Sequence, residues 1–192
     1  MQDVCTDAEM VALLERAQRG DPSAYDRLYD LYADKLFRYL YARLAEREAA
    51  EDLTAELFVR LVQTLPRFRV NAARPVAAFS AWLYRIADNL LADYRRRQRF
   101  RRHEQLDGYR DLPAVRPDPL QQTVIAERSR RIAAAIAGLG EEQQRVIIYR
   151  FLEGYSLTEA AELMGKTIAS IKALQHRALV HLRQVLTPEE SR

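Results

Sequence analysis

Apolar residues recur along most of the chain at three- and four-residue steps, the repeat of helices that each bury one stripe. Met10, Val11, Leu14 and Ala17 mark a first helix over Asp7 to Arg19, stopped by Gly20. Asp21 and Pro22 then restart the chain as N-cap and first helical residue. Leu28, Leu31, Tyr32, Leu36, Tyr39 and Leu40 carry the stripe from Ser23 to Leu44, and Tyr25, Tyr29, Phe37 and Tyr41 make this segment rich in rings. Glu46 to Leu65 is predicted as the next helix, ended by Pro66, with Leu53, Leu57, Phe58, Leu61, Val62 and Leu65 toward the core. Phe79, Trp82, Leu83, Ile86, Leu90 and Tyr94 share a face of a fourth.

The pattern lapses between His103 and Thr123, where Gly108, Pro113, Pro117 and Pro119 fall among Asp107, Asp111 and Asp118. Such a composition predicts a linker, extended and mobile in isolation. Helical periodicity then resumes over Arg128 to Ala137, turns at Gly138-Leu139-Gly140, and continues over Glu141 to Glu153 with Val146, Ile147 and either Phe151 or Leu152 buried. Gly154 closes that helix. Ser156 and Glu159 form a capping box for a short helix, Leu157 to Met164, and Thr167 caps the last one, Ile168 to Leu186. The expectation is an all-α chain of two small helical domains, 1–102 and 128–192, joined by a flexible linker over 103–127.

Ala161, Gly165 and Ile171 sharpen the reading of the second domain. Two helices crossing steeply need a small residue at their contact, a tight turn needs positive φ, and an apolar residue from the second helix closes the core. That spacing predicts a helix-turn-helix, whose second helix enters the major groove of DNA. Ile171, Leu174, Leu179 and Leu182 are expected to look inward. Thr167, Ala169, Ser170, Lys172, Ala173, His176 and Arg177 are expected to look outward: short side chains permit approach to base edges, and the cations reach phosphate or guanine. His176 is equally a plain surface histidine. Gln144 and Arg145, on the preceding helix, are candidates for phosphate contact.

Charge points the same way. Residues 1–94 carry 12 Lys and Arg against 15 Asp and Glu, a net of −3, whereas residues 95–192 carry 18 against 12, a net of +6. Arg95, Arg96, Arg97, Arg99, Arg101 and Arg102 crowd behind the aromatic stripe of the fourth helix, as in a helix anchored in a core while gripping a polyanion. The basic loop Arg67 to Ala78, with Asn71 and Pro75, reads either as a connector or as a cradle for phosphates and an extruded base. Asp52, Ala55, Glu56, Val59 and Gln63 form a second face of the third helix, where small and apolar residues lie between carboxylates; it is a docking surface for a basic or mixed helix, or a plain surface.

Several classes drop out. A lone Cys5 and three scattered histidines complete neither a disulfide nor a zinc site. No cysteine–histidine pair, metal constellation or phosphate-binding glycine loop suggests an enzyme, and no cofactor is expected. No apolar run is long enough to cross a bilayer, and the N-terminus has no export core, so the cytoplasm is the expected compartment.

In GDPSAYDRLYDLY, AEDLTAELFVRL, FSAWLYRIADNLLADYRRR and the block from LGEEQQRVIIYRFLEGYSLTEAAELMG to HRALVHLR, the chain resembles the bacterial extracytoplasmic-function sigma factors over nearly its full length. The resemblance implies a promoter-specificity subunit of RNA polymerase. The segment Asp52–Leu65 would dock on the clamp helices of core polymerase, whose flap is a further expected contact. Asn71, Arg74, Trp82, Arg85, Asn89, Arg95 and Arg96 would read the minus-ten element, with Trp82 also explicable as core. The helix-turn-helix would read the minus-thirty-five element, the linker would thread toward the active-site and RNA-exit channel, and an anti-sigma factor would occlude these faces. Ala169, Ala173 and Leu174 stand where the family usually has Gly, Ser and Arg, so its usual sequence preference does not transfer. The rival reading is a dimeric helix-turn-helix regulator that binds a palindrome without polymerase.

Overall fold

In a computed structural model, which describes residues 5–71, 73–106 and 124–187, the described residues form eight α-helices and no strand. Thr6 caps α1 (Asp7–Gln18) through a box in which Glu9 N donates to Thr6 Oγ1 at 3.3 Å and Thr6 N donates to Glu9 Oε2 at 2.8 Å. Asp21 caps α2 (Pro22–Leu44) by accepting from Ser23 N at 3.0 Å, and Pro22 occupies the first turn, where its missing N–H costs nothing. α3 (Arg47–Thr64) runs into a 3-10 turn, Leu65–Arg67. The side-chain amide of Gln18 pins that turn to α1, donating to Leu65 O at 3.1 Å and Phe68 O at 2.7 Å.

α4 (Pro75–Leu106) begins one turn earlier than its apolar stripe suggests. Pro75 pre-sets the first helical φ, and Ala77 and Ala78 carry no side chain that opposes a helix. The basic loop is correspondingly shorter than expected. Around the start of α4, Phe79 meets Tyr32 edge-on at 5.4 Å and Phe68 at 5.6 Å, while Phe68 and Trp82 lie 4.8 Å apart.

The C-terminal helices are α5 (Val124–Ala137), α6 (Glu141–Ile147), α7 (Leu157–Met164) and α8 (Ile168–Leu186). The helix expected over Glu141 to Glu153 changes character at Ile148–Leu152, which is a π-turn. Its extra residue is visible in the bond from Glu153 N to Ile148 O, five residues back, at 3.0 Å. The wider turn rotates the side chains, so Ile148 and Tyr149 are buried and neither Phe151 nor Leu152 is. On α8, Ala178 rather than Leu179 completes the inward row of Ile171, Leu174 and Leu182.

The two helical groups share one continuous apolar core. α5 and the π-turn lie on α2, and α7 lies on α4. Three buried rings mark the seam: Tyr149 sits 4.9 Å from Tyr84 and 5.9 Å from Tyr39, which are themselves 4.9 Å apart. Most of the expected linker, residues 107–123, lies outside the described residues, but α4 reaches Leu106 and α5 starts at Val124, so both flanks of the expected 103–127 linker are helical.

Candidate nucleic-acid and protein interfaces

The turn between α7 and α8 has the geometry its spacing demanded. Ser156 and Glu159 cap α7 reciprocally, with Ser156 N donating to Glu159 Oε2 at 2.7 Å and Glu159 N donating to Ser156 Oγ at 3.2 Å. These bonds hold the Glu159 carboxyl below its ordinary pKa. Gly165 ends α7 at φ +62, in the left-handed region that glycine enters without steric penalty. Thr167 then caps α8, accepting from Ser170 N at 3.2 Å. Ala161 and Ile171 are buried at the crossing of the two helices.

Ala169, Ser170, Lys172, Ala173, His176 and Arg177 are all exposed and follow the i, i+3, i+4, i+7 rule, so they form one stripe on α8. Thr167 is exposed at its end. Leu174 faces the core and takes no part. Gln144 corrects the expectation set for it. Both its amide hydrogens are engaged within the second module, on Ala137 O and Leu139 O at 2.8 Å each, and its carbonyl accepts from Arg43 Nε at 3.0 Å. A buried amide with no donor left has nothing to offer a phosphate oxygen. Arg145 is half-buried, 3.6 Å from Asp88 and with its guanidinium over the Tyr149 ring.

On α4, Trp82, Arg85, Asn89 and Arg96 share a face, their spacings of three, seven and fourteen residues returning to the same side. Arg85, Asn89 and Arg96 are exposed, and Trp82 is half-buried with one side on Phe68 and Phe79. Asn71 lies exposed in the preceding loop, where its side chain accepts from Ala73 N at 3.0 Å. Arg95 stands round the helix from the others, paired to Glu141 of α6 at 2.8 Å. Arg74 is paired to Glu162 of α7.

Asp52, Ala55, Val59 and Gln63 are exposed on α3, and Glu56 is half-buried, accepting from Arg60 at 2.8 Å. Sequence reasoning missed part of this face. Val62, expected in the core, is 50% exposed beside Val59 at 56%. Tyr29 of α2 is exposed as well, its ring 4.7 Å from that of Phe58. Leu53, Leu57, Leu61 and Leu65 already complete a strict i+4 row, which leaves Val62 one residue off the buried stripe; that count was available from the sequence. The result is an apolar patch edged by carboxylates.

Residues 28–101 match the family described as Sigma-70 region 2, and residues 135–184 match that described as Sigma-70, region 4. The ECF RNA polymerase sigma factor BldN of Streptomyces coelicolor is 37% identical over 185 residues, an alignment covering 96% of this chain and 68% of that protein. The chain belongs to the ECF RNA polymerase sigma factors. SigW of Bacillus subtilis, another member, is 29% identical over 181 residues, covering 90% of this chain and 94% of its own length. The sigma factor shares its fold with CnrH, solved in complex with the cytosolic domain of CnrY, at a TM-score of 0.65 and 22% identity over 91% of this chain and 95% of that one. RpoE from Bartonella quintana, solved with the anti-sigma factor NepR, gives a TM-score of 0.62 at 19% identity over 86% of this chain and 98% of its own. In this sigma factor the region 2 match spans α3 and the Trp82 face of α4, and the region 4 match holds the helix-turn-helix. No helix among the described residues is long and apolar enough to cross a membrane.

Proposed function

We propose that this sigma factor directs core RNA polymerase to specific promoters and assists their opening, with each exposed face taking one task. The apolar patch of α3, ringed by Asp52 and Glu56, suits docking on a basic or mixed helix of core polymerase, where burial of Val59 and Val62 gives affinity and the carboxylates give orientation. Asn71, Trp82, Arg85, Asn89 and Arg96 would hold the minus-ten strand: guanidinium groups and the Asn71 amide on its backbone, and the Trp82 ring as a stacking platform for an unstacked base. The Thr167–Arg177 stripe would enter the major groove at the minus-thirty-five element. Arg74, Arg95 and Arg145 would add phosphate contacts.

The observation that carries this reading is the separation of these surfaces: a polar helix-turn-helix stripe, a basic helix with one aromatic platform, and an apolar patch bearing acid. The first two suit DNA and the third suits protein. Unstacking bases costs a few kcal/mol per step, more than a small domain recovers alone, so opening belongs to the assembly with polymerase. An anti-sigma partner is part of the proposal, because two neighbours of the same fold were solved with partner chains, CnrH with the cytosolic domain of CnrY and RpoE with the anti-sigma factor NepR. Addition of the purified protein to sigma-free core polymerase is expected to yield start-site-specific transcription. A stable dimer that binds a palindrome, and no initiation with core enzyme, would favour the rival regulator.

A further inference from the structure

We infer that Phe100 is a second DNA contact on the Trp82 face of α4, a wedge that enters one base step of the duplex between the two promoter elements. This rests on the reading of the Trp82 face given above. Phe100 stands eighteen residues beyond Trp82 on the same continuous helix, and eighteen residues are five whole turns. Its ring therefore projects on the side that carries Trp82, Arg85, Asn89 and Arg96. At 66% exposed it is the most exposed large apolar side chain among the described residues. A lone exposed ring is ordinary, but this one is in register with Trp82 and flanked by guanidinium groups. Arg96 is 80% exposed, and Arg97 is exposed as well, 3.9 Å from Glu56 in a long pair that a phosphate can displace. Asp93, the carboxylate on that side, is already met by Arg96 at 2.8 Å and Arg60 at 3.9 Å, so the face is attractive to a polyanion.

The direction of the chain places this contact. α4 runs from Trp82 toward the second module, whose helix-turn-helix takes the upstream element, so Phe100 lies on the upstream side. The rise between the two rings is about 27 Å, at 1.5 Å per residue. Along a duplex that is about eight base pairs at 3.4 Å per step. Phe100 therefore meets DNA that is still paired, whereas Trp82 meets a base already unstacked. A phenyl ring has no group with which to hydrogen-bond a base edge. In paired DNA it gains most contact by entering between stacked pairs, as apolar wedges do while arginines beside them hold the backbone. Entry is easiest at pyrimidine–purine steps such as TA, which unstack readily, and hardest in stiff A-tracts. Phe100 thus adds a preference for deformable sequence at a position that no hydrogen bond reads.

The test uses the full chain assembled with core polymerase on a promoter from which it starts at a defined site. Photoreactive benzoylphenylalanine at position 100 is expected to crosslink paired DNA about eight base pairs upstream of the crosslink made from position 82. With a TA step at that place, the wild type is expected to form open complexes about tenfold faster than with an AA step. Phe100→Ala should lose this difference, and Phe100→Trp should keep it. F100A is expected to compete for core polymerase as the wild type does, because the ring serves DNA. Crosslinks from position 100 to a polymerase subunit, or an F100A protein that retains the TA preference, would overturn the wedge. So would loss of the preference when deoxyuridine replaces thymidine at the step, since that marks contact with the thymine methyl group instead. Absence of start-site-specific transcription would overturn the reading of function and Phe100 with it, whereas defined starts with a misplaced crosslink overturn Phe100 alone.

Discussion

Arg43 of α2 donates from Nη1 to Asp88 Oδ1 of α4 at 2.6 Å, with only 3% of the Arg43 side chain exposed. The same nitrogen donates to the Tyr39 hydroxyl at 2.8 Å, which in turn donates to the same Asp88 oxygen at 2.5 Å. A buried cation is tolerable only when its charge and donors are all met, and removing one partner strands the other. Arg43→Met is expected to destabilise the protein by about 3 kcal/mol, because Asp88 loses the buried cation bonded to it and keeps only the more distant Arg145. The double variant R43M/D88L should lose clearly less than the two single variants added together. Urea unfolding decides this, and simple additivity would show that the pair is not coupled.

Two positions with left-handed backbone should respond in opposite senses. Gly165 has φ +62 and open space where a Cβ would go, so Gly165→Ala pays only the conformational term and is expected to cost about 1 kcal/mol. Ala45 caps α2 at φ 58 with a Cβ in place, so Ala45→Gly should stabilise by up to about 1 kcal/mol. Thermal unfolding of both variants checks the signs. A destabilised Ala45→Gly protein would argue against strain at that cap.

Charge reversal at Asp52 combined with Val59→Glu should lower affinity for core polymerase at least tenfold, or about 1.4 kcal/mol. Both residues are exposed, so unfolding stability should stay within about 0.5 kcal/mol of wild type. Competition for core enzyme against the unmodified protein measures the first quantity, and an unchanged affinity would remove α3 from the docking surface.

Lys172→Ala and Arg177→Ala should each weaken upstream DNA binding by about 1–3 kcal/mol. Their salt dependence separates the two roles. A side chain on phosphate weakens all sequences alike and lowers the salt slope by about one, whereas one on a base edge relaxes preference at a single position. Binding of the holoenzyme to a panel of upstream sequences at several salt concentrations tells these apart. Gln144→Ala should act through stability instead, since its amide hydrogens bond only within the second module.

Burial pushes the Glu153 carboxyl above its ordinary value of 4.5, against the opposing pull of Arg38. A raised pKa in the folded protein means that the folded form binds the proton more tightly. The stability this contributes is complete below pH 4.5 and is lost as pH rises through the raised value. Glu153→Gln, which carries no charge, should therefore gain on the wild type as pH increases from 4 to 7 and then level off. Paired melting curves across that range test the sign; a gap that shrinks with rising pH would contradict it.

The helix-turn-helix is legible in the sequence because its determinants are local. Capping by Ser156 and Thr167, a positive φ at Gly165 and a small residue at Ala161 each act within a few residues of sequence. The core stripes of α2 and α4 were legible for a similar reason, since a helix that buries one side repeats its apolar residues on that side. Errors arose where register shifted. The π-turn moves Tyr149 inward and Phe151 outward, which single-period counting cannot anticipate, and Val62 lies one residue off a stripe already filled by its neighbours.

Sequence alone determined the helices, their caps, the two-part plan and the types of side chain available to polymerase and DNA, because these follow from spacing and from bonds between near neighbours. Only the tertiary structure decided which of those side chains are free. Gln144 spends its amide hydrogens inside its own module and its carbonyl on Arg43 of the other, Arg74 and Arg95 are held by acids of the other module, and Asp88 faces both Arg43 and Arg145. Such pairings join residues tens of positions apart across a packed seam, and no periodicity along the chain encodes which carboxylate will meet which guanidinium.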